Sequence, residues 1–133
     1  MVQVDPWEKA ADCERALRLL ILDPVHREIA AAALEGSGFR LVLLPDGASL
    51  VGAIRRECPD MILMDIHLPD VDGLSLTKMI KGLPRFANVP VLMFTGHASR
   101  ESIAKSVEAG AVGYILKPFT RETLLNQIDR FLS

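Results

Sequence analysis

The chain has 133 residues, half of them hydrophobic and 24% charged, with a formal net charge of −2. That is enough for one domain with a real core and too little for two, and it offers no basic footprint for nucleic acid or an anionic membrane. The two cysteines, Cys13 and Cys58, lack ligand-like spacing, and no apolar run has the length of a membrane span or the form of a signal peptide, so a reduced, cytoplasmic setting is expected.

Residues 1–14 are polar with scattered apolar positions and the single tryptophan, Trp7; they read as a loosely packed N-terminal extension, and residues 15–133 as one domain. Leu17 to Leu22 is a run fit for a strand buried on both faces. It stops at Asp23-Pro24, where Asp23 suits a helix cap and Pro24 the first helical position. The spacing predicts a helix over Val25 to Ser37, with Ile29, Ala33 and Leu34 inward and Gly36 and Gly38 marking its end. Ala30 to Ala33 give that helix a small-residue surface, read as good helix former packed on a sheet. Phe39 to Leu44 is a second strand, Pro45-Asp46-Gly47 a turn, and Ala48 to Cys58 a helix with Val51, Ile54 and Cys58 at core spacing. Met61 to Asp65 is the third strand, and Pro69 to Gly73 a turn leading into a helix from Leu74 to Leu83. After a loop over Pro84 to Asn88, Val89 to Thr95 forms the fourth strand, with Pro90 near its start, where a missing donor does least harm. Ser99 caps a helix reaching Ala109, Gly110 to Gly113 turns, and Tyr114 to Leu116 is the fifth strand, closed by Lys117-Pro118. Thr120 caps the last helix, whose Leu124, Ile128, Phe131 and Leu132 make one apolar stripe.

Five strands alternating with five helices, joined by connections too long for hairpins, specify an α/β fold with a doubly wound parallel sheet. Four strands end in polar residues: Asp23, Asp65, Thr95 and Lys117. With strand order 2-1-3-4-5, Asp23 and Asp65 become neighbours at the switch point, with Thr95 and Lys117 beyond them. Adjacent carboxylates repel and favour a hard divalent cation. A hydroxyl and an ammonium beside them suit a phosphoryl group bridging metal and lysine. The set therefore points to an aspartyl phosphate on Asp65. Singly, each residue has an ordinary explanation as a cap, a strand end or a surface lysine. Their recurrence at four strand ends carries the reading.

Three motifs stand in order: Met-Ile-Leu-Met-Asp65-Ile-His-Leu-Pro69-Asp-Val-Asp72-Gly73, then Val-Leu-Met-Phe-Thr95-Gly, then Gly-Ala-Val-Gly-Tyr114-Ile-Leu-Lys117-Pro118-Phe. With them the chain, from about Arg15 to Ser133, resembles the receiver domains of two-component response regulators and is similar to the single-domain chemotaxis regulators. The resemblance implies a flavodoxin-like (βα)5 fold and a signalling domain rather than an enzyme. It implies that Asp65 accepts a phosphoryl group from a sensor histidine kinase or histidine phosphotransfer protein, that Thr95 contacts that group and that Lys117 pairs with it. It further implies Mg²⁺ held by Asp65, by the backbone carbonyl of His67 and by an acid at the end of the first strand, for which Asp23 is the candidate. Tyr114 would be the aromatic switch, the Lys117-Pro118 bond would be cis, and the face of the fourth helix, fifth strand and fifth helix would meet a downstream partner, an output domain or a second copy. Neither nucleic acid nor membrane is an expected direct partner.

The first strand departs from the pattern. Receivers usually end it with two adjacent acids, and here Leu20-Ile21-Leu22-Asp23-Pro24 offers one. An ungapped match from Pro24 puts Ile21 and Leu22 on the acidic pair, whereas a short deletion puts Asp23 in the site. Either way at least one acid is missing, and Mg²⁺ affinity falls with ligand charge. Two readings follow: a working receiver with a weakened metal site, which the Asp65, Thr95 and Lys117 set favours, or a pseudo-receiver that binds proteins without phosphorylation. His67 and His97 flank the mouth of the site and, with Asp65 and Asp23, have the ligand types of a transition-metal site; solvated loop side chains are the plainer expectation. A flavin- or nucleotide-binding domain would need a phosphate-cradling loop where Asp23-Pro24-Val25-His26 stands, and no nucleophile and base pair marks a conventional enzyme.

Overall fold

The computed structural model describes residues 17–96 and 99–132. The expectations for residues 1–14, including Trp7 and Cys13, and for His97 lie outside the described residues. Strands β1 (Arg18–Leu22), β2 (Arg40–Leu44), β3 (Met61–Asp65), β4 (Val91–Thr95) and β5 (Gly113–Leu116) form one sheet in the order β2-β1-β3-β4-β5. Every pairing is parallel. Helices α1 (Arg27–Ala33), α2 (Gly47–Glu57), α3 (Gly73–Lys81), α4 (Arg100–Ala109) and α5 (Arg121–Leu132) connect and cover it, with a short 3-10 turn at Pro84–Phe86. The expected order and the doubly wound architecture are therefore those observed.

The alternation of each strand decides which helices it holds. Leu20, Leu22, Ile62, Met64 and Met93 point to one face and pack on Leu50 and Ile54 of α2 and Leu76 and Ile80 of α3. Leu19, Ile21, Leu63, Phe94 and Ile115 point to the other and pack on Ala30 and Leu34 by α1 and on Leu124 and Ile128 of α5. Each fully buried Leu or Ile there contributes about 1.5–3 kcal/mol through its removal from water. Because β1, β3 and β4 are covered on both faces, their polar residues can stand only at strand ends, and a parallel sheet gathers those ends at one edge.

Two sequence expectations shift. The first helix begins at Arg27, not Val25, because residues 24–26 are held as a turn by Asp23, and it stops at Ala33. Ile29, expected inward, is 58% exposed. In α2 the buried set is Leu50, Ala53 and Ile54, while Val51 is 56% exposed and Cys58 lies outside on a left-handed cap with φ of 46°. Leu50-Ile54 and Val51-Ile54 both have helical spacing, so periodicity alone leaves the face ambiguous by one position.

Candidate functional site

Strand register sets the site's geometry. Leu22 pairs with Met64, so Asp23 and Asp65 stand level on neighbouring strands. Asp65 pairs with Phe94, and Phe94 with Ile115, which leaves Thr95 one residue and Lys117 two residues beyond that level. The Lys117-Pro118 bond is cis, and Lys117 donates its backbone N–H to the Thr95 carbonyl at 2.7 Å. The lysine side chain returns over the edge: its Nζ lies 4.8 Å from the centre of the Phe94 ring and is ion-paired with both carboxylates.

The two carboxylates are bound differently. Asp23 is wholly buried. Its Oδ1 accepts the backbone N–H groups of Val25 at 2.8 Å and His26 at 2.7 Å, and its Oδ2 accepts the Lys117 ammonium in a close hydrogen bond. Burial alone would raise its carboxyl pKa, but the His26 amide, Lys117 and the Val25 amide together outweigh it, so Asp23 sits below the ordinary carboxylate value. Among the described residues, Asp65 accepts the His67 amide at 3.1 Å on Oδ1, and its Oδ2 is 3.5 Å from Lys117 Nζ. Burial pushes the Asp65 carboxyl up, the His67 amide and Lys117 oppose it, and the neighbouring Asp23 charge adds to the rise; the net shift is upward.

Glycines let the main chain close around Asp65. At Gly73, the first residue of α3, a Cβ would stand 2.0 Å from the Asp65 carbonyl oxygen and 2.9 Å from Ile66 Cα. The turn read from Asp72-Gly73 is thus a required close approach, and the Gly73 N–H bonds the Ile66 carbonyl at 2.8 Å. Asp70, at the tip of this loop, accepts the Gly47 and Ala48 N–H groups, each at 2.9 Å, and so latches the loop to the start of α2. Those two bonds, against a small desolvation cost, hold the Asp70 carboxyl below its ordinary value.

A cavity of about 450 Å³ opens on the site, lined by Asp65, Lys117, His67, His26 and the apolar Ile29, Pro118 and Phe119. Thr95 is buried at the end of β4 and lines a second cavity, on the α4 side, together with His67. Tyr114 is half-buried on β5 and faces a pocket shared with Ile103 and Val107 of α4. Asp23, Asp65 and Lys117 thus meet directly, Thr95 joins them at the same edge, and Tyr114 lies farther along the sheet. One neighbour escaped sequence reasoning: the Nδ1 of His26 is 3.3 Å from Lys117 Nζ and 3.5 Å from Asp23 Oδ1. Its place three residues after Asp23, in the turn that Asp23 holds, was the available signal.

The donor set can be tested against a divalent cation. Among the described residues, no three His, Cys, Asp or Glu side chains group as a metal cluster. Asp23 spends one oxygen on two amides and the other on Lys117, which leaves Asp65 as the carboxylate facing the cavity. Mg²⁺ accepts one or two carboxylates and keeps several waters, so the residues fit a weakly held, water-rich ion.

Among the described residues, no helix is long and apolar enough to cross a membrane. A family model described as the response regulator receiver domain matches residues 22–129. The transcriptional regulatory protein CseB of Streptomyces coelicolor is 38% identical over 110 residues, covering 83% of this chain and 46% of that protein. The chain spans about half or less of the length of the curated relatives it matches, down to 17% of a Vibrio cholerae autoinducer sensor kinase/phosphatase. The chemotaxis response regulator CheY4 of Vibrio cholerae superposes with a TM-score of 0.83 at 26% identity, covering 88% of this chain and 99% of that one. The receiver domain of a Pseudomonas aeruginosa sensor histidine kinase, described with a magnesium ion in its active-site cleft, superposes with a TM-score of 0.79 at 31% identity, covering 88% and 98%.

Proposed function

The chain belongs to the response regulator receiver domain family, a family of signalling domains rather than classical enzymes, and from that premise we propose that it accepts a phosphoryl group on Asp65. The observation that carries the proposal is the contrast at the sheet edge: Asp65 is pinned by the His67 amide, lies within ion-pair reach of Lys117 and opens on the cavity, whereas Asp23 is closed in. In this reading an Asp65 oxygen attacks the phosphorus of a phosphohistidine on a sensor kinase or phosphotransfer protein. The P–O bond forms as the P–N bond breaks, and the imidazole leaves with a proton from water. Lys117 meets the charge brought by the phosphoryl oxygens, and Thr95 contacts the group from β4. Mg²⁺, held by Asp65 and the His67 carbonyl, would shield the carboxylate from the incoming negative charge. Repacking of Thr95 and Tyr114 would then alter the α4-β5-α5 face, where Val107, Val112 and Leu116 are already exposed for an output domain, another protein or a second copy.

The test is intact mass after incubation with acetyl phosphate and Mg²⁺. One added phosphoryl group is expected, needing high Mg²⁺ to saturate, and Asp65→Asn abolishes it. The commitment of both Asp23 oxygens favours a second reading, a receiver fold that binds its partner without phosphorylation. That reading predicts no mass gain at any Mg²⁺ concentration and partner binding unchanged by Asp65→Ala.

A further inference from the structure

Lys117 pairs with both carboxylates, and its ammonium has three N–H groups and no lone pair. One N–H goes to Asp23 Oδ2 in a close bond, and Asp65 Oδ2 stands 3.5 Å away. A further acceptor is the Nδ1 of His26, at 3.3 Å. A ring nitrogen facing an ammonium is attracted to it only where it carries its lone pair, so this contact requires the tautomer with the proton on Nε2. The competing role, an Nδ1–H donating to Asp23 Oδ1 at 3.5 Å, is the poorer one. That oxygen already accepts the Val25 and His26 amides, which fill its two lone pairs.

The main chain fixes where the ring stands. Asp23 Oδ1 holds the His26 amide, and the Arg27 guanidinium reaches back to the Asp23 and Pro24 carbonyls at 3.1 and 2.6 Å. The His26 carbonyl accepts the Ala30 N–H at 2.9 Å. His26 precedes α1 but makes no side-chain bond to cap it, so the imidazole is not spent on the helix, and it lines the Asp65 cavity. We propose that His26 is a positioning residue for phosphotransfer: its Nδ1 accepts one N–H of Lys117 and, together with Asp23, fixes the ammonium with its remaining N–H toward Asp65. The role rests on the reading of Asp65 as phosphoryl acceptor. Two N–H groups held on the β1 side leave the third where an oxygen of the incoming phosphoryl group arrives, with no reorientation needed during transfer. Without the His26 acceptor, the freed N–H turns to Asp65 Oδ2, already 3.5 Å away, and ties up an oxygen of the attacking carboxylate.

His26→Leu removes the acceptor, while His26→Asn sets an amide oxygen near the place of Nδ1; both keep the main-chain N–H that Asp23 accepts. Intact mass followed over time with acetyl phosphate and Mg²⁺ should show His26→Leu taking up its phosphoryl group about five- to tenfold more slowly than the unmutated chain, the effect of one hydrogen bond. His26→Asn should recover most of that rate. A second readout needs no phosphodonor. Imidazole ¹⁵N spectra of the full chain should show His26, identified by the signals lost in His26→Asn, with its proton on Nε2, and Lys117→Met should shift its Nδ1 signal. Uptake by His26→Leu at the unmutated rate overturns the proposal, as does equal slowing in both variants, which assigns the effect to the bulk of the ring. So does a His26 ring with its proton on Nδ1, or an Nδ1 signal that Lys117→Met leaves unmoved. If the unmutated chain gains no phosphoryl group, the acceptor reading falls and the transfer role with it, whereas the spectra decide by themselves whether His26 holds Lys117.

Discussion

The ends of β1 and β3 lie side by side, at one level of the sheet, and each carries an aspartate facing the same lysine. The chain treats them in opposite ways. At the β1 end the carboxylate is sealed, given two amides and the nearer hold on Lys117, and its pKa falls. At the β3 end it receives the His67 amide and a longer ion pair, keeps an opening to a cavity, and its pKa rises. The first is satisfied by its neighbours; the second is held more loosely and faces a cavity. Two identical side chains acquire different chemistry from the number of donors around each and their access to solvent.

The largest effect should come from breaking the satisfied side. Asp23→Ala removes a buried partner of Lys117 and the acceptor that holds the Val25 and His26 amides. A loss of about 3–5 kcal/mol is expected from breaking such a buried pair, read as urea unfolding at pH 7. Asp23→Asn, which keeps an oxygen for the amides but not the charge, should lose less; equal losses would assign the cost to the turn rather than to the lysine. Next comes the backbone beneath the open side. Gly73→Ala would drive a methyl group into the Asp65 carbonyl, a main-chain contact that cannot yield like a flexible side chain. It should cost about 2–4 kcal/mol and displace Asp65 relative to His67. Gly47→Ala, whose new Cβ meets the side chain of Val71, should cost less. A harmless Gly73→Ala would mean that the α3 start can shift away from β3.

Much of this site was legible in the sequence because parallel-sheet chemistry is local. A buried strand tolerates a polar residue only at its end, so Asp23, Asp65, Thr95 and Lys117 announced one edge before any topology was known. The βα alternation implied a parallel sheet; the order 2-1-3-4-5 came with the resemblance to receiver domains, and given that order the strand ends bring Asp65 and Lys117 to one edge. What stayed hidden depended on contacts between distant segments or on register within a helix. That Asp23 both holds its own turn and pairs with a lysine 94 residues away could not be separated from simple capping. The inward face of α2 was off by one position, since a helix stripe read from Val51 and one read from Leu50 share Ile54. His26 was missed because a histidine after a proline turn looks like any solvated loop residue; Gly73 was read as a turn residue, but its reason shows only against the Asp65 backbone.

The smallest effect is also the sharpest on the comparison, because its sign is opposite. The raised pKa of Asp65 means that folding disfavours its ionised form, with burial as the main cause and Asp23 adding to it. A group whose folded pKa lies above its unfolded value, about 3.9 for aspartate, stabilises the protein most when protonated in both states. That advantage is lost as pH rises from the unfolded value through the folded one. Above that window the chain carries a disadvantage from ionising Asp65, and the isosteric Asp65→Asn should remove it, raising Tm relative to the unmutated chain at pH 7. The gain should shrink as pH falls and vanish below the ordinary aspartate pKa. Asp23→Asn should run the other way, because a lowered pKa is stability present above about pH 3.9 and lost only as pH falls through the depressed folded value. Thermal melts of the two variants between pH 3 and pH 7 should diverge with rising pH, one above the unmutated chain and one below. Parallel curves would mean that Lys117 divides itself evenly, and that the open carboxylate is no less satisfied than the closed one.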